Sequence, residues 1–220
     1  MLNLKYLIDL FIHLDVHLAS LINILGSWSY VMLFLIIFAE TGLVVTPFLP
    51  GDSLLFAAGA LAGGGYLNVM IIYFLMLAAA ILGDSANYWI GQKFGRKLFS
   101  NKESKIFKQE YLKQTEEFYE KYGSKAIIIA RFVPIVRTFA PFVAGIGNMH
   151  YDRFISYNVI GGFIWVTALV FAGYFFGGLE IVQKNFEIVV LAIIFLSVLP
   201  AIFEYAKHHV AKNKAKTLAE

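Results

Sequence analysis

Four ionisable residues stand inside otherwise apolar stretches of this chain: Glu40, Asp52, Arg131 and Arg137. A lone charge at membrane depth costs at least about 2.5–3.5 kcal/mol on insertion scales, so each needs a partner or a purpose. Two acids on one segment facing two arginines on another would nearly neutralise one another. Arginine's planar fork grips phosphate or carboxylate oxygens at two points and stays charged at any working pH. Desolvation favours the neutral form of a carboxylate, while a nearby arginine favours the charged form. An acid released from its arginine by an incoming anion can therefore take up a proton. This assigns Glu40 and Asp52 to proton coupling, and Arg131 and Arg137 to binding an anionic headgroup. The competing reading is a salt-bridge lock that only fastens two segments together, for which a single pair would suffice.

The surroundings of these residues point to lipid. Of 220 residues, 59% are hydrophobic and only 15% charged, where a soluble domain has about a quarter charged. A core of this size cannot hide the apolar surplus. The length allows about five or six membrane segments. Absence of cysteine excludes disulfides, thiol catalysis and Cys-ligated zinc. The net charge of +3 matters less than its placement, because Lys and Arg gather at 93–125 and 207–216 beside apolar runs. That pattern marks a cytoplasmic face. No basic and aromatic platform stands apart from the apolar segments, so nucleic acid is not an expected partner. The start MLNLKYLIDL has neither a basic n-region nor a small-residue cleavage site, and a cleaved signal peptide is not expected.

Two segments carry the four charges, and both are interrupted. In 28–62 the apolar run 31–39 meets Glu40, then Pro47 and Pro50, then Gly51, Asp52 and the run 54–62. Each arm is too short to cross about 30 Å of hydrocarbon, and two prolines three apart break a helix. A re-entrant hairpin, covered by protein or a wet cavity, fits better than one straight helix. In 126–147 a short apolar run leads to Arg131, Pro134, Arg137 and Pro141, then Ala144-Gly145. The expected hairpin breaks are thus Pro47, Pro50, Pro134 and Pro141.

The remaining segments frame these hairpins. Residues 67–92, 154–178 and 186–206 are apolar and long enough to span. Gly83, Asp84, Asn87, Gly91 and Gly95 recur about every four residues, a small and polar stripe suited to close helix packing, with Gly145 in the same role. Residues 4–25 put Leu4, Leu7, Phe11, Leu14, Leu18, Ile22 and Leu25 on one face and Lys5, Asp9, His13, His17 and Ser20 on the other. That amphipathicity predicts an interfacial helix, and the Asp9–His13–His17 line reads as its wet face rather than a metal site. In 93–125, Phe107, Tyr111, Phe118 and Tyr122 form an aromatic stripe, either on the lipid surface or docked on the protein.

The chain also shows weak internal repetition. Each half runs through a charged broken hairpin, an Ala-Gly pair, a span with a Trp, and GxxxG. The first half has Ala58-Gly59, Trp89 and Gly91/Gly95; the second has Ala144-Gly145, Trp165 and Gly173/Gly177. Interrupted segments at matching places point to a transporter site at the midplane. The expected architecture is an all-α integral membrane protein with two re-entrant helical hairpins, about three spanning helices, an N-terminal amphipathic helix and pseudo-symmetric halves. Its parts are 1–27, a transport unit 28–180, and a spanning helix with basic tail 181–220. No enzyme pattern competes. His150, His208 and His209 lie near segment ends, Ser53 has no nearby His and acid set, and Gly63–Gly65 reads as a turn. Neither cofactor nor metal is expected.

The segments ETGLVVTPFLPGDSLLFAAGALA (40–62), GDSANYWIGQKFG (83–95) and ARFVPIVRTFAPFVAGIGNM (130–149) resemble the DedA family of bacterial membrane proteins, also called the SNARE-associated or VTT-domain family. The resemblance runs along nearly the whole chain. It implies two opposed re-entrant hairpins, transport dependent on the proton motive force, and a part in envelope integrity. It also implies return of undecaprenyl phosphate, or a like phospholipid, across the inner membrane. The family's functional acids and arginines fall on Glu40, Asp52, Arg131 and Arg137. The partners expected are the lipid substrate, protons and the bilayer, with a homodimer as the one oligomer considered. The competing functions are a proton-coupled antiporter for a small ion or drug, and a non-transporting envelope scaffold.

Topology follows from charge. The basic run 207–216 comes directly after the last expected span, and positive charge is retained inside. A reporter fused to the C-terminus and active only in the cytoplasm should be active. Activity of a periplasm-only reporter at that position would overturn the orientation.

Overall fold

The computed structural model describes residue 22, residues 24–43, 51–98 and 109–180, and residues 182, 188, 189 and 192. Seven helices fill the long described stretches: α1 Trp28–Gly42, α2 Gly51–Gly63, α3 Val69–Leu98, α4 Gln109–Tyr122, α5 Ala126–Ala130, α6 Pro134–Ile146 and α7 Tyr151–Phe176. A 3-10 turn, Gly123–Lys125, joins α4 to α5. There is no strand among the described residues.

Two of these helices are membrane-length. At 1.5 Å per residue the 30 residues of α3 reach about 45 Å and the 26 of α7 about 39 Å, both more than the roughly 30 Å of hydrocarbon. Their apolar stretches Val69–Gly95 and Tyr151–Phe176 qualify as spans by length and composition. Asn68 starts α3, its Oδ1 accepting from the backbone N–H groups of Met70 (3.0 Å) and Ile71 (3.1 Å). The outer faces of both carry Phe74, Leu82, Phe163, Ile164 and Phe175, all largely exposed. So much contiguous apolar surface suits lipid rather than water. The third expected span, 186–206, lies almost wholly outside the described residues, as do most of the N-terminal segment 1–27, the tail 207–216, and both Pro47 and Pro50.

The short helices α1, α2 and α6, of 15, 13 and 13 residues, reach only about 20 Å each and must be covered by protein. Glycine lets them approach closely. Gly59 of α2 and Gly173 of α7 sit where a Cβ would run into the other helix's backbone, at Val170 O and Phe56 O respectively, and Gly177 faces Ala60. The same arrangement joins α6 to α3: Gly145 lies against Tyr88 O, Gly91 against Phe142 O, and Gly95 against the Ile146 side chain. On α1, Thr41 and Phe38 press on Gly83 of α3. Helix α2 therefore rides on α7, and α6 rides on α3.

Two expectations change. Pro134 opens α6 at its first turn, where its missing N–H is not needed, and the break lies at 131–133. Pro141 breaks nothing: it is buried inside α6, which runs on to Ile146. An interior proline removes one helix bond and costs about 3 kcal/mol, which packing against α3 and α4 offsets. The aromatic stripe of α4 takes the docked alternative. Phe118 is buried against Ala126, Ala130, Val133, Val136 and Ala140 of the second interrupted segment, with Tyr119 and Tyr122 beside it. Phe107 and the Tyr111 side chain lie outside the described residues.

These seams make a stability prediction. Gly91→Ala and Gly173→Ala force backbones apart and should each destabilise by about 1–3 kcal/mol, as overpacking does. Gly178→Ala, where a Cβ meets nothing within 4 Å, should be neutral. Thermal unfolding in detergent checks this, and equal melting of all three variants would remove the seams from the account.

Candidate functional site

Each interrupted segment delivers its charges at helix ends. Glu40 lies in the last turn of α1, Asp52 in the first turn of α2, Arg131 just past α5, and Arg137 in the first turn of α6. The long helices meet them near their midpoints. Asp84 is about 22 Å along α3 and Trp165 about 21 Å along α7, taking 1.5 Å per residue.

Arg137 is the hub. Its Nη1 donates to Asp52 Oδ1 at 3.0 Å, and its Nη2 lies 3.4 Å from Glu40 Oε1, an ion pair without hydrogen-bond geometry. The guanidinium carbon sits 4.1 Å from the centroid of the Trp165 ring, within cation–π range. Trp165 Nε1–H donates to the same Asp52 Oδ1 at 2.8 Å. Glu40 is almost fully buried and packs on Gly51, where a Cβ would overlap its carboxylate. The first residue of α2 is thus a glycine because the acid occupies the space.

Arg131 has a separate partner. Its Nη2 donates to Asp84 Oδ2 and to Asn158 Oδ1, each at 2.5 Å. Gly161 and Gly162 leave room for the guanidinium, which approaches both closely. Asn158 in turn donates to Ile81 O at 3.0 Å, tying α7 to α3. Asn87 Nδ2 donates to Thr41 O (3.1 Å) and Thr138 O (2.9 Å), so one α3 side chain holds carbonyls of both interrupted segments. From α4, Tyr119 donates its hydroxyl to Ala140 O at 2.8 Å, next to Pro141. Burial, helped by the Asp84 charge, pushes the Tyr119 phenol well above its ordinary range, so it remains a donor.

The structure brings Glu40, Asp52 and Arg137 into one cluster and gives Arg131 to Asp84 and Asn158. Asp84, expected only to pack, is an ion-pair partner at a short distance. Trp165 and Asn158 are the residues that sequence reasoning passed over as site members. Their signal was spacing, since Asn158, Gly161, Gly162 and Trp165 share one face of α7. Several buried polar atoms make no hydrogen bond: Arg131 Nε and Nη1, Arg137 Nη2, Glu40 Oε2, Asn87 Oδ1 and Ser53 Oγ. Three are guanidinium nitrogens, donors without an acceptor. No group of three or more His, Cys, Asp or Glu suited to a metal occurs among the described residues.

Comparison with known proteins places these features in a family. The VTT domain model matches residues 49–175. Protein DedA of Escherichia coli K12 is 58% identical over 212 residues, 96% of this chain and 97% of that one. An uncharacterized membrane protein of Mycobacterium tuberculosis is 39% identical over 195 residues, 88% and 86% of the two chains. The inner membrane protein YqjA of E. coli K12 is 31% identical over 187 residues, 85% of each chain. No solved structure matches the chain.

The Arg131–Asp84 pair can be tested for stability alone. Asp84→Leu leaves a buried guanidinium without its carboxylate and should cost about 3–5 kcal/mol, whereas Asp84→Leu with Arg131→Met should recover most of that. Unfolding in mixed micelles measures both. A single variant as stable as the parent would show that the pair holds nothing together.

Proposed function

We propose, from the premise that this chain belongs to the DedA family of VTT-domain membrane proteins, that it carries a lipid-linked phosphate across the bacterial inner membrane at the expense of the proton gradient. The substrate class is a polyprenyl phosphate of the undecaprenyl kind, and the role is support of the envelope. The observation that carries this reading is Arg137, a guanidinium placed between two acids, against mid-helix Trp165, with one edge nitrogen unbonded. An edge of that kind donates to phosphate oxygens. Arg131 adds two more unbonded donors nearby, with both guanidinium carbons within 6 Å of the Trp165 ring.

In this mechanism the headgroup takes the Arg137 edge and displaces carboxylate from it. A displaced carboxylate in a dry site takes up a proton, and the loaded site moves between sides. The interrupted segments 28–62 and 126–147 act as opposed re-entrant hairpins that line the path. The two matching glycine seams, α2 on α7 and α6 on α3, support a pseudo-symmetric arrangement of the halves. The basic tail and the 93–125 segment face the cytoplasm. A lock reading also has an observation in its favour, the Arg131 Nη2 bonds to Asp84 and Asn158, and it applies to that nitrogen rather than to Arg137. Enzyme chemistry has no part in this reading.

The test is uptake of labelled polyprenyl phosphate into proteoliposomes under an imposed pH gradient. Arg137→Lys keeps charge but loses the fork. Loss of one charged hydrogen bond, about 1.5–3 kcal/mol, should lower uptake about ten- to hundredfold. Glu40→Gln should insert normally yet lose gradient-driven uptake while keeping exchange without a gradient, and Asp52→Asn should insert normally yet lower both. Full activity of Arg137→Lys would remove the clamp, and stability loss in step with activity in the acid variants would favour the lock.

A further inference from the structure

The two acids beside Arg137 are held unequally. Asp52 Oδ1 takes two donors, Arg137 Nη1 at 3.0 Å and Trp165 Nε1 at 2.8 Å. Glu40 meets Arg137 at 3.4 Å without hydrogen-bond geometry, and its remaining donor is the uncharged Gly51 backbone N–H. A ligand that takes the Arg137 edge therefore strips Glu40 of its one charged partner. Asp52 still keeps a charge-assisted bond to the indole, of the stronger kind.

Trp165 is built for this. It is 2% exposed, sits near the middle of α7, and belongs to the main core cluster. Its rotation would break that packing, so the indole N–H is a fixed donor. Its ring also lies along the Arg137 guanidinium, whose charged edge stays available while the plane is kept in place. One side chain thus fixes the arginine and one of its two acids to the same helix.

We propose that Trp165 is a positioning residue that keeps Asp52 docked on α7 when an anion occupies Arg137, so that Glu40 alone is the acid released. The proposal rests on the anion-clamp reading and deepens it by assigning the order of release. Asp52 is then the fixed wall of the site and Glu40 the mobile one.

The test uses the full chain in detergent micelles with ¹⁵N-labelled tryptophan and arginine. The protein has three tryptophans, and Trp28 (71% exposed) and Trp89 (48% exposed) face outward, so a buried indole bonded to a carboxylate resonates apart from them. Its cross-peak is assigned by its loss in Trp165→Phe. The expected result is a Trp165 indole proton downfield of the other two, moved upfield by Asp52→Asn. Asp52→Glu, which shifts the carboxylate without removing its charge, gives a second perturbation where the Asn variant does not fold. Farnesyl phosphate, a short polyprenyl monophosphate, should then move the Arg137 side-chain resonance while Trp165 stays downfield. A Trp165 resonance indifferent to both Asp52 variants overturns the proposal by itself. So does a Trp165 resonance that follows Arg137 upfield on anion binding, since Asp52 would then have left with Glu40. A titration that moves no arginine resonance overturns the clamp and the release order with it. The Asp52 variants still report on the indole bond in that case, so the two failures are told apart.

Discussion

A guanidinium packed between two membrane-length helices has little water to turn to, and Arg137 is kept in place by what surrounds it. Two carboxylates offset its charge and an indole covers its face. None of the three comes from the helix that carries the arginine: Glu40 lies on α1, Asp52 on α2 and Trp165 on α7. Pairing one charge therefore requires three other helices to converge on a fourth. Single substitutions in this cluster alter more than one partner, because Asp52 Oδ1 is shared between the arginine and the indole.

Convergence at that depth demands short helices, and short helices bring a second problem. Every helix end leaves backbone groups without intrahelical partners, which lipid cannot satisfy. Here α3 supplies the answer. Asn87 donates to Thr41 O in the last turn of α1 and to Thr138 O inside α6, so one α3 side chain ties down both broken segments. Tyr119 reaches the adjacent Ala140 O from the outside. The glycine contacts then follow as geometry. For Asn87 of α3 to reach carbonyls, and Trp165 of α7 a carboxylate, on the broken segments, the backbones must come close, and a Cβ at Gly91 or Gly173 would hold them apart.

How far the sequence could be read depends on what kind of signal each residue left. Glu40, Asp52, Arg131 and Arg137 were legible because a charge in an apolar run is conspicuous whatever its partner. The helix break after Glu40 was legible too, through Gly42 and the prolines beyond it. Asp84 was read as packing because it sits in a stripe of glycines, and the stripe does pack; only the position of Arg131 reveals the ion pair. Trp165 was unreadable from type alone, since Trp89 occupies an equally apolar span and faces outward. The difference lies in the helical face: Trp165 shares its face with Asn158 and Gly161, while Trp89 falls off the line of Asp84, Asn87 and Gly91. Pro141 misled because proline is a breaker only where tertiary contacts do not hold the helix on either side.

Charge counting bears on the proposed carrier and on its rival, the lock. Glu40, Asp52 and Asp84 are three carboxylates, and Arg131 and Arg137 are two guanidiniums, so the fully ionised cluster is one charge short of neutral. A lock has no use for the third acid, because each arginine is already paired without it. A carrier of phosphate monoesters does have a use for it. The arriving headgroup brings about −1.5 to −2 charges, which in a dry site must be compensated. Two arginines tied to two acids cannot do that alone. Protonating an acid frees its arginine for the phosphate and removes a negative charge in the same step, so a surplus carboxylate converts anion binding into proton uptake. In the proposed carrier that part falls to the acid held more loosely by the arginine, which is Glu40 rather than Asp52, whose Oδ1 takes both Arg137 and Trp165.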